Sequence, residues 1–177
     1  GMSLKFRADD EQLRPMGRQT AGVQGMRFRE GDSLLAMDVV PADSDRDLLV
    51  VTAEGFAKRT AVGEYRLQGR NGFGVKALQL ADGRGDLVGA LIVGDGDQIM
   101  AIMRSGKVIR SDVDEIKRTG RTTQGVTLVR PDADDVVLAV ARHDEGDADA
   151  GDEGDGDDSA SAASPVTETE VASESQD

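Results

Sequence analysis

The stretch Gly69-Arg70-Asn71-Gly72-Phe73-Gly74-Val75 decides the fold, because it occurs three times. It echoes Gly17-Arg18-Gln19-Thr20-Ala21-Gly22-Val23 and returns as Gly120-Arg121-Thr122-Thr123-Gln124-Gly125-Val126, at offsets of 52 and 51 residues. Self-similarity at a fixed period of this size is the mark of a repeat architecture. Each copy precedes an apolar run: Leu34 to Val40, Leu87 to Val93, and Val136 to Val140. The first two copies then lead into alternating segments broken by short Gly-containing turns. These are Leu48 to Thr52 and Phe56 to Thr60 around Ala53-Glu54-Gly55, then Ile99 to Met103 and Lys107 to Arg110 around Arg104-Ser105-Gly106. β-Branched and apolar runs joined by such turns predict hairpins rather than helices. With a further strand near Val23 to Phe28, each repeat supplies about four strands. The expected fold is all-β, a partial propeller-like array of four-stranded blades repeating every 51 residues or so.

Residues 2–18 align with 55–70 and 106–121, so the sequence opens on the last strand of a repeat. It leaves the pattern after Val136 to Arg142, before the next hairpin would follow. Units that bury their faces against neighbours seldom begin mid-unit. The expectation is a portion of a longer array, or a chain whose two ends combine to complete one blade.

Charge divides the chain at the same place. The net charge is −13 over 177 residues. From His143 to Asp177 there are thirteen acidic residues and no Lys or Arg, which leaves 21 acids against 21 bases in residues 1–142. The acidity therefore belongs to the tail, and the body is neutral. The tail is rich in Asp, Glu, Gly, Ala and Ser and cannot bury enough apolar surface to offset its ordering entropy. It is expected to be a disordered acidic segment over 143–177, beside blades over 1–142. Gly151 to Asp158 lacks the spaced ligands and closing Glu of a calcium loop.

Catalytic constellations are sparse. There is no cysteine, and His143 is the one histidine, which excludes thiolate metal sites and disulfides. Ser105-Gly106-Lys107-Val108 lacks the first Gly and the hydroxyl of a phosphate-binding P-loop. Gly69 to Gly74 follows a basic strand instead of opening a helix, unlike a dinucleotide fingerprint. Tyr65, the single tyrosine, falls inside the repeat. No signal segment opens the sequence, and no apolar run is long enough to span a bilayer. The expectation is a cytoplasmic chain with no membrane partner, no catalytic residue, no metal ligand and no cofactor of its own.

Basic residues, by contrast, recur in register. One copy carries Lys58, Arg59, Arg66 and Arg70, the next Lys107, Arg110, Lys117, Arg118 and Arg121, and the opening segment Lys5, Arg7, Arg14 and Arg18. In a radial array, matched positions are expected to point outward and form a discontinuous basic belt, suited to a curved polyanion whose bases go unread. Glycines beside the arginines would let backbone N–H groups approach phosphates. The expected DNA contacts are Arg18, Lys58, Arg59, Arg66, Gln68, Gly69, Arg70, Gly72, Gly74, Lys107, Arg110, Lys117, Arg118 and Arg121.

At these residues the sequence resembles the C-terminal domain of gyrase A, the DNA-wrapping part of DNA gyrase, from high-GC Gram-positive bacteria. The matching stretches are Met16-Gly17-Arg18 through Gly22-Val23-Gln24-Gly25-Met26, Gly55 to Thr60, Glu64 to Arg70, Leu87 to Val93 and Gly106 to Arg110. The resemblance implies a six-bladed β-pinwheel that wraps duplex DNA around its rim. It implies a non-catalytic part of a nucleoid-associated bacterial topoisomerase that introduces negative supercoils. The partners it implies are the remainder of gyrase A together with gyrase B. ATP and magnesium then serve the parent enzyme. The family's Gln-Arg-Arg-Gly-Gly-Arg-Gly box is absent; Gln68-Gly69-Arg70-Asn71-Gly72-Phe73-Gly74 matches it at Gln68, Arg70, Gly72 and Gly74. Two other readings stay open: the corresponding domain of topoisomerase IV, and a propeller-like protein-interaction module that binds no DNA.

Overall fold

A computed structural model describes residues 1–143. The tail expected over 143–177 lies, His143 apart, outside the described residues. Among the described residues nine strands occur: β1 (Met2–Ser3), β2 (Asp47–Thr52), β3 (Phe56–Ala61), β4 (Val75–Lys76), β5 (Leu87–Val93), β6 (Gln98–Met103), β7 (Val108–Asp112), β8 (Val126–Thr127) and β9 (Val137–His143). Single 3-10 turns follow β3 and β7, at Val62–Glu64 and Val113–Glu115.

The strands form three sheets, ordered β1-β4, β5-β2-β3-β8 and β7-β6-β9. The hairpins β2-β3 and β6-β7 fall where the Gly-containing turns predict them. In both, the turn glycine has a positive φ, 77° at Gly55 and 85° at Gly106, and its N–H donates to the residue three back. The irregularity of the ladders repeats too. β5 on β2 and β9 on β6 each slip register at the same place, between Val51 and Thr52 and between Ile102 and Met103.

A blade is not one stretch of sequence. The second hairpin precedes the Gly120 to Val126 box, whose end, β8, pairs back onto β3 of the previous blade, Ala57 opposite Val126. One repeat earlier, β4 pairs with β1, Ser3 opposite Val75. The chain thus closes each blade with a strand that has already left for the next one. β1 lies with β4 and β9 with β6, so the two ends do not complete a common blade.

The core lies between the second and third sheets. Leu49, Val51, Ala57 and Val93 meet Ile99, Ala101, Met103, Val113, Ile116, Val129 and Val137, all buried. β6 buries every second residue, and β2 is buried along nearly its whole length, as its run Leu48 to Val51 requires.

Two expected strands do not form. Leu34 to Val40 is apolar, yet it carries no ladder, and Leu34, Leu35, Met37 and Val39 are exposed. Its equivalents β5 and β9 pair with β2 and β6, and among the described residues no corresponding hairpin lies beside it. A strand needs a partner as well as a pattern. From Val23 to Phe28 the ladder reduces to one parallel bridge, Met26 to Gly72, with the Arg27 amide donating to the Gly72 carbonyl.

Candidate nucleic-acid interface

The expected belt separates into two groups once the side chains are placed. Lys58 is fully buried: its Nζ donates to the Gly120 carbonyl at 2.8 Å and to that of Arg121. It pins the box of the following repeat to the strand that box closes. Burial pushes the Lys58 ammonium down to about 8, with Glu64 opposing the shift and Arg121 adding to it. Arg59, with 12% of its side chain exposed, donates to the Ile116 carbonyl and meets Asp95 at 2.8 Å, Asp114 at 3.3 Å and Asp47 at 3.7 Å. Arg118 Nε meets the buried Asp47 at 2.8 Å. The outward orientation expected for Lys58 and Arg59 is therefore corrected. Both point into the seam between blades, because backbone carbonyls and carboxylates there outcompete solvent for them.

The box residues are also tied down. The Arg70 amide donates to the Gln12 side chain, its Nε to the Gln12 carbonyl at 2.8 Å, and its Nη1 to the Gln24 carbonyl at 3.2 Å. Arg121 reaches the Lys76 carbonyl at 3.3 Å. Gln68 is half-buried, with a buried Nε2 that meets no acceptor. Gly72 rests on Leu4, while Gly69 is exposed. Gly74 and Gly125 have φ of 73° and 80°, and a Cβ on them would stand 2.4 Å from the Ser3 carbonyl oxygen and 2.7 Å from that of Ala57. What these two glycines approach is a neighbouring strand.

The second group faces solvent. Arg66 and Lys117 occupy the same place in successive repeats, just beyond the two 3-10 turns and beside the buried Tyr65 and Ile116. Both are exposed, as are Arg7, Arg14, Arg18 and Lys107. Arg110 is exposed, and its guanidinium donates to Gln98 Oε1. Arg104 and Arg130, absent from the expected contacts, are exposed as well. Sequence reasoning also missed Arg84, stacked 3.9 Å over the Phe56 ring, and Asp47. An acidic residue opening the run Asp47-Leu48-Leu49-Val50-Val51 was the available signal for the latter.

Among the described residues no group of three or more His, Cys, Asp or Glu is placed to hold a metal, and no helix is long and apolar enough to cross a membrane.

The sequence pattern of the DNA gyrase C-terminal domain, a β-propeller, matches residues 1–41, 46–94 and 97–144, one segment for each repeat. The chain belongs to the DNA gyrase C-terminal domain family. The gyrase A protein of Streptomyces coelicolor is 51% identical over 143 residues, covering 81% of this chain and 16% of that protein. Gyrase A of Mycobacterium tuberculosis H37Rv is 48% identical over 145 residues, covering 82% and 17%. This chain thus spans about a sixth of the length of the gyrase A proteins it matches. A solved DNA gyrase A C-terminal domain superposes with a TM-score of 0.68 at 26% identity, over 80% of this chain and 47% of that one. The C-terminal domain of a DNA topoisomerase IV superposes at 0.72 with 24% identity, over 80% and 43%, and shares the fold.

The pH behaviour of Lys58 offers a test of the seam. An unfolded lysine keeps its proton to about pH 10.4. Between about pH 8 and that value the unfolded chain binds more protons than the folded one, so stability rises with pH. Burial raises the Tyr65 hydroxyl, which reverses the sign above about pH 10. Urea midpoints of the chain are expected to climb from pH 8 toward 10, and those of Lys58→Met to lack the climb. A wild-type midpoint that stays level over this range would contradict the buried ammonium.

Proposed function

We propose that the chain is a DNA-wrapping segment of a gyrase A protein, binding duplex through its phosphates without reading bases. The observation that carries the reading is the exposed cation recurring at one place in the repeat, Arg66 and Lys117, in a chain of this family. Arg14 holds the matching place by sequence, 52 residues before Arg66. Cations spaced by a repeat meet a duplex at intervals along its curved path. Smoothly bending 20–30 bp by 40–90° costs about 1–6 kcal/mol. A handful of phosphate contacts offsets that at low salt.

In this reading the segment performs no chemistry. The rest of gyrase A and its partner gyrase B supply cleavage and ATP hydrolysis with magnesium, on cytoplasmic, nucleoid-associated DNA. Arg18, Arg66, Lys107, Arg110 and Lys117 are the contacts retained. Lys58, Arg59, Arg70, Arg118, Arg121, Gln68, Gly72 and Gly74 act mainly by holding the blades in place, and Gly69 stays exposed beside them. Topoisomerase IV is the second reading, favoured by the fold match alone.

The triple variant Arg14→Ala, Arg66→Ala, Lys117→Ala tests it. Each lost contact is expected to lower the slope of log affinity against log salt by about 0.9. The triple variant should lose roughly 2.7 on any duplex sequence, with its thermal midpoint unchanged. No duplex binding by the parent chain at low salt would overturn the reading in favour of a protein-interaction module. The thirteen acidic residues after Arg142 should compete with phosphate for these cations. Removing 144–177 is expected to tighten binding at low salt, and equal gel-shift affinity would refute the competition.

A further inference from the structure

The three boxes share a spacing but not a closure. In the first, the Thr20 amide donates to the Gly17 carbonyl at 3.2 Å and the Thr20 hydroxyl to the same oxygen at 2.8 Å. In the third, the Thr123 amide and hydroxyl meet the Gly120 carbonyl at 3.3 and 3.0 Å. The middle box carries Asn71-Gly72 where the others carry Gln19-Thr20 and Thr122-Thr123. Gly72 has no hydroxyl to close the turn, and among the described residues its amide meets no acceptor.

The segment before the middle box holds it instead. The Asn71 amide donates to the Gly25 carbonyl, the Arg27 amide to the Gly72 carbonyl at 2.8 Å, and Arg27 Nε to Asn71 Oδ1 at 3.0 Å. Asn71 is the only asparagine of the chain. Among the described residues it is also the only non-glycine with a positive φ, 63°, a region asparagine tolerates better than most side chains.

These groups are the parts of an acyl transfer within the chain. A backbone N–H without an acceptor directly follows the Asn71 side chain. That nitrogen belongs to a glycine, so no Cβ shields it. A guanidinium already donates to the oxygen that turns negative when Cγ is attacked, and a donor placed where charge develops lowers the barrier.

We propose that Asn71 is a site of spontaneous deamidation, with water as the only co-reactant. The Gly72 nitrogen gives its proton to solvent and attacks Asn71 Cγ. The new N–Cγ bond forms, the Cγ–Nδ2 bond breaks, and Nδ2 takes up a proton and leaves as ammonia. Water then opens the cyclic imide. Breaking the bond to Cγ gives aspartate, and breaking the bond to the main-chain carbonyl gives isoaspartate, whose backbone runs through Cβ. Either product sets a carboxylate beside Arg27. Isoaspartate also lengthens the backbone between the Asn71 amide and the Gly72 carbonyl, the two groups that tie the box to Gly25 and Arg27.

Peptide mapping of the folded chain after incubation in mildly alkaline buffer tests this. The Asn71–Lys76 peptide should gain the mass that separates OH from NH2 and resolve into two products of equal mass. Arg27→Ala should slow the conversion roughly tenfold, the difference between hydrogen bonds to a neutral and to a charged oxygen. Arg27→Gln, which keeps a neutral N–H, should fall between the two. Both variants should match the parent in denaturing urea, because the donor lies 44 residues away and acts only in the folded chain. Loosening of the segment would speed the reaction, so a slower rate reports the lost donor. The isoaspartate fraction should melt below the Asn71→Asp variant. An Asn71 that reacts in urea but stays intact in the folded chain would overturn the proposal. So would an Arg27→Ala chain that reacts in buffer as fast as the parent or faster.

Discussion

Replacing Gly55 with alanine is expected to lower the thermal midpoint by about 10 °C, and the same change at Gly106 by about half of that or less. Both glycines sit at the same point of their hairpin turns with left-handed φ, so alanine strains the backbone by about 1–2 kcal/mol at either. Their surroundings differ. A Cβ at Gly55 would stand 2.3 Å from the Val129 carbonyl oxygen and 3.1 Å from its carbon, both backbone. At Gly106 it would meet nothing within 4 Å. Backbone cannot rotate aside as a side chain does, so the β8 connection must move off the hairpin, taking the bonds from Leu128 and Val129 to the Gly55 carbonyl with it. The total at Gly55 is roughly 3–4 kcal/mol. Calorimetry of dilute protein separates the two variants; equal losses would mean the seam yields freely.

Asp47→Ala should come next, at about 3 kcal/mol. The carboxylate is 2% exposed and faces Arg118 at 2.8 Å and Arg59 at 3.7 Å. Removing it leaves Arg59, itself largely buried, closer to an uncompensated charge, which costs more than the pair contributes. Arg59 keeps Asp95 and Asp114, which caps the loss. Arg118→Ala should cost clearly less, because half of that side chain is in solvent. Denaturant midpoints give the order. A larger loss for Arg118→Ala than for Asp47→Ala would mean that the partner, and not the buried carboxylate, holds the seam.

These two sites mark what was legible in the sequence. The hairpins were, because a Gly turn between β-branched runs is a local code that needs no distant partner. The repeat was also legible, since self-similarity is visible without coordinates. Lys58 was not: a lysine in a strand of mixed polarity reads as solvated, and its acceptors lie 62 and 63 residues away. Arg59 fails the same test, its carboxylates being at Asp95 and Asp114. Recurrence located the basic residues but could not sort them, because packing between blades recurs with the same period as a DNA-facing surface would. Arg66 and Lys117 emerge as the exposed pair only after Tyr65 and Ile116, their neighbours, are seen to be buried. Leu34 to Val40 shows the opposite error, a correct apolar pattern whose hydrogen-bonding partner is not among the described residues.

The borrowed strand has a consequence for how such an array assembles. Where repeats merely stack, each can fold on its own and be stabilised by its neighbour afterwards. Here β3 is completed only when residues 126 and 127 arrive, some seventy residues after it. The first folding event that gains much must therefore span two repeats, which raises the loop-closure entropy of the nucleus and slows it. In return, a blade cannot peel away alone, since opening one pulls a strand out of another. Loss of structure should then run through the seam as one transition, and no cut between hairpins leaves two whole pieces.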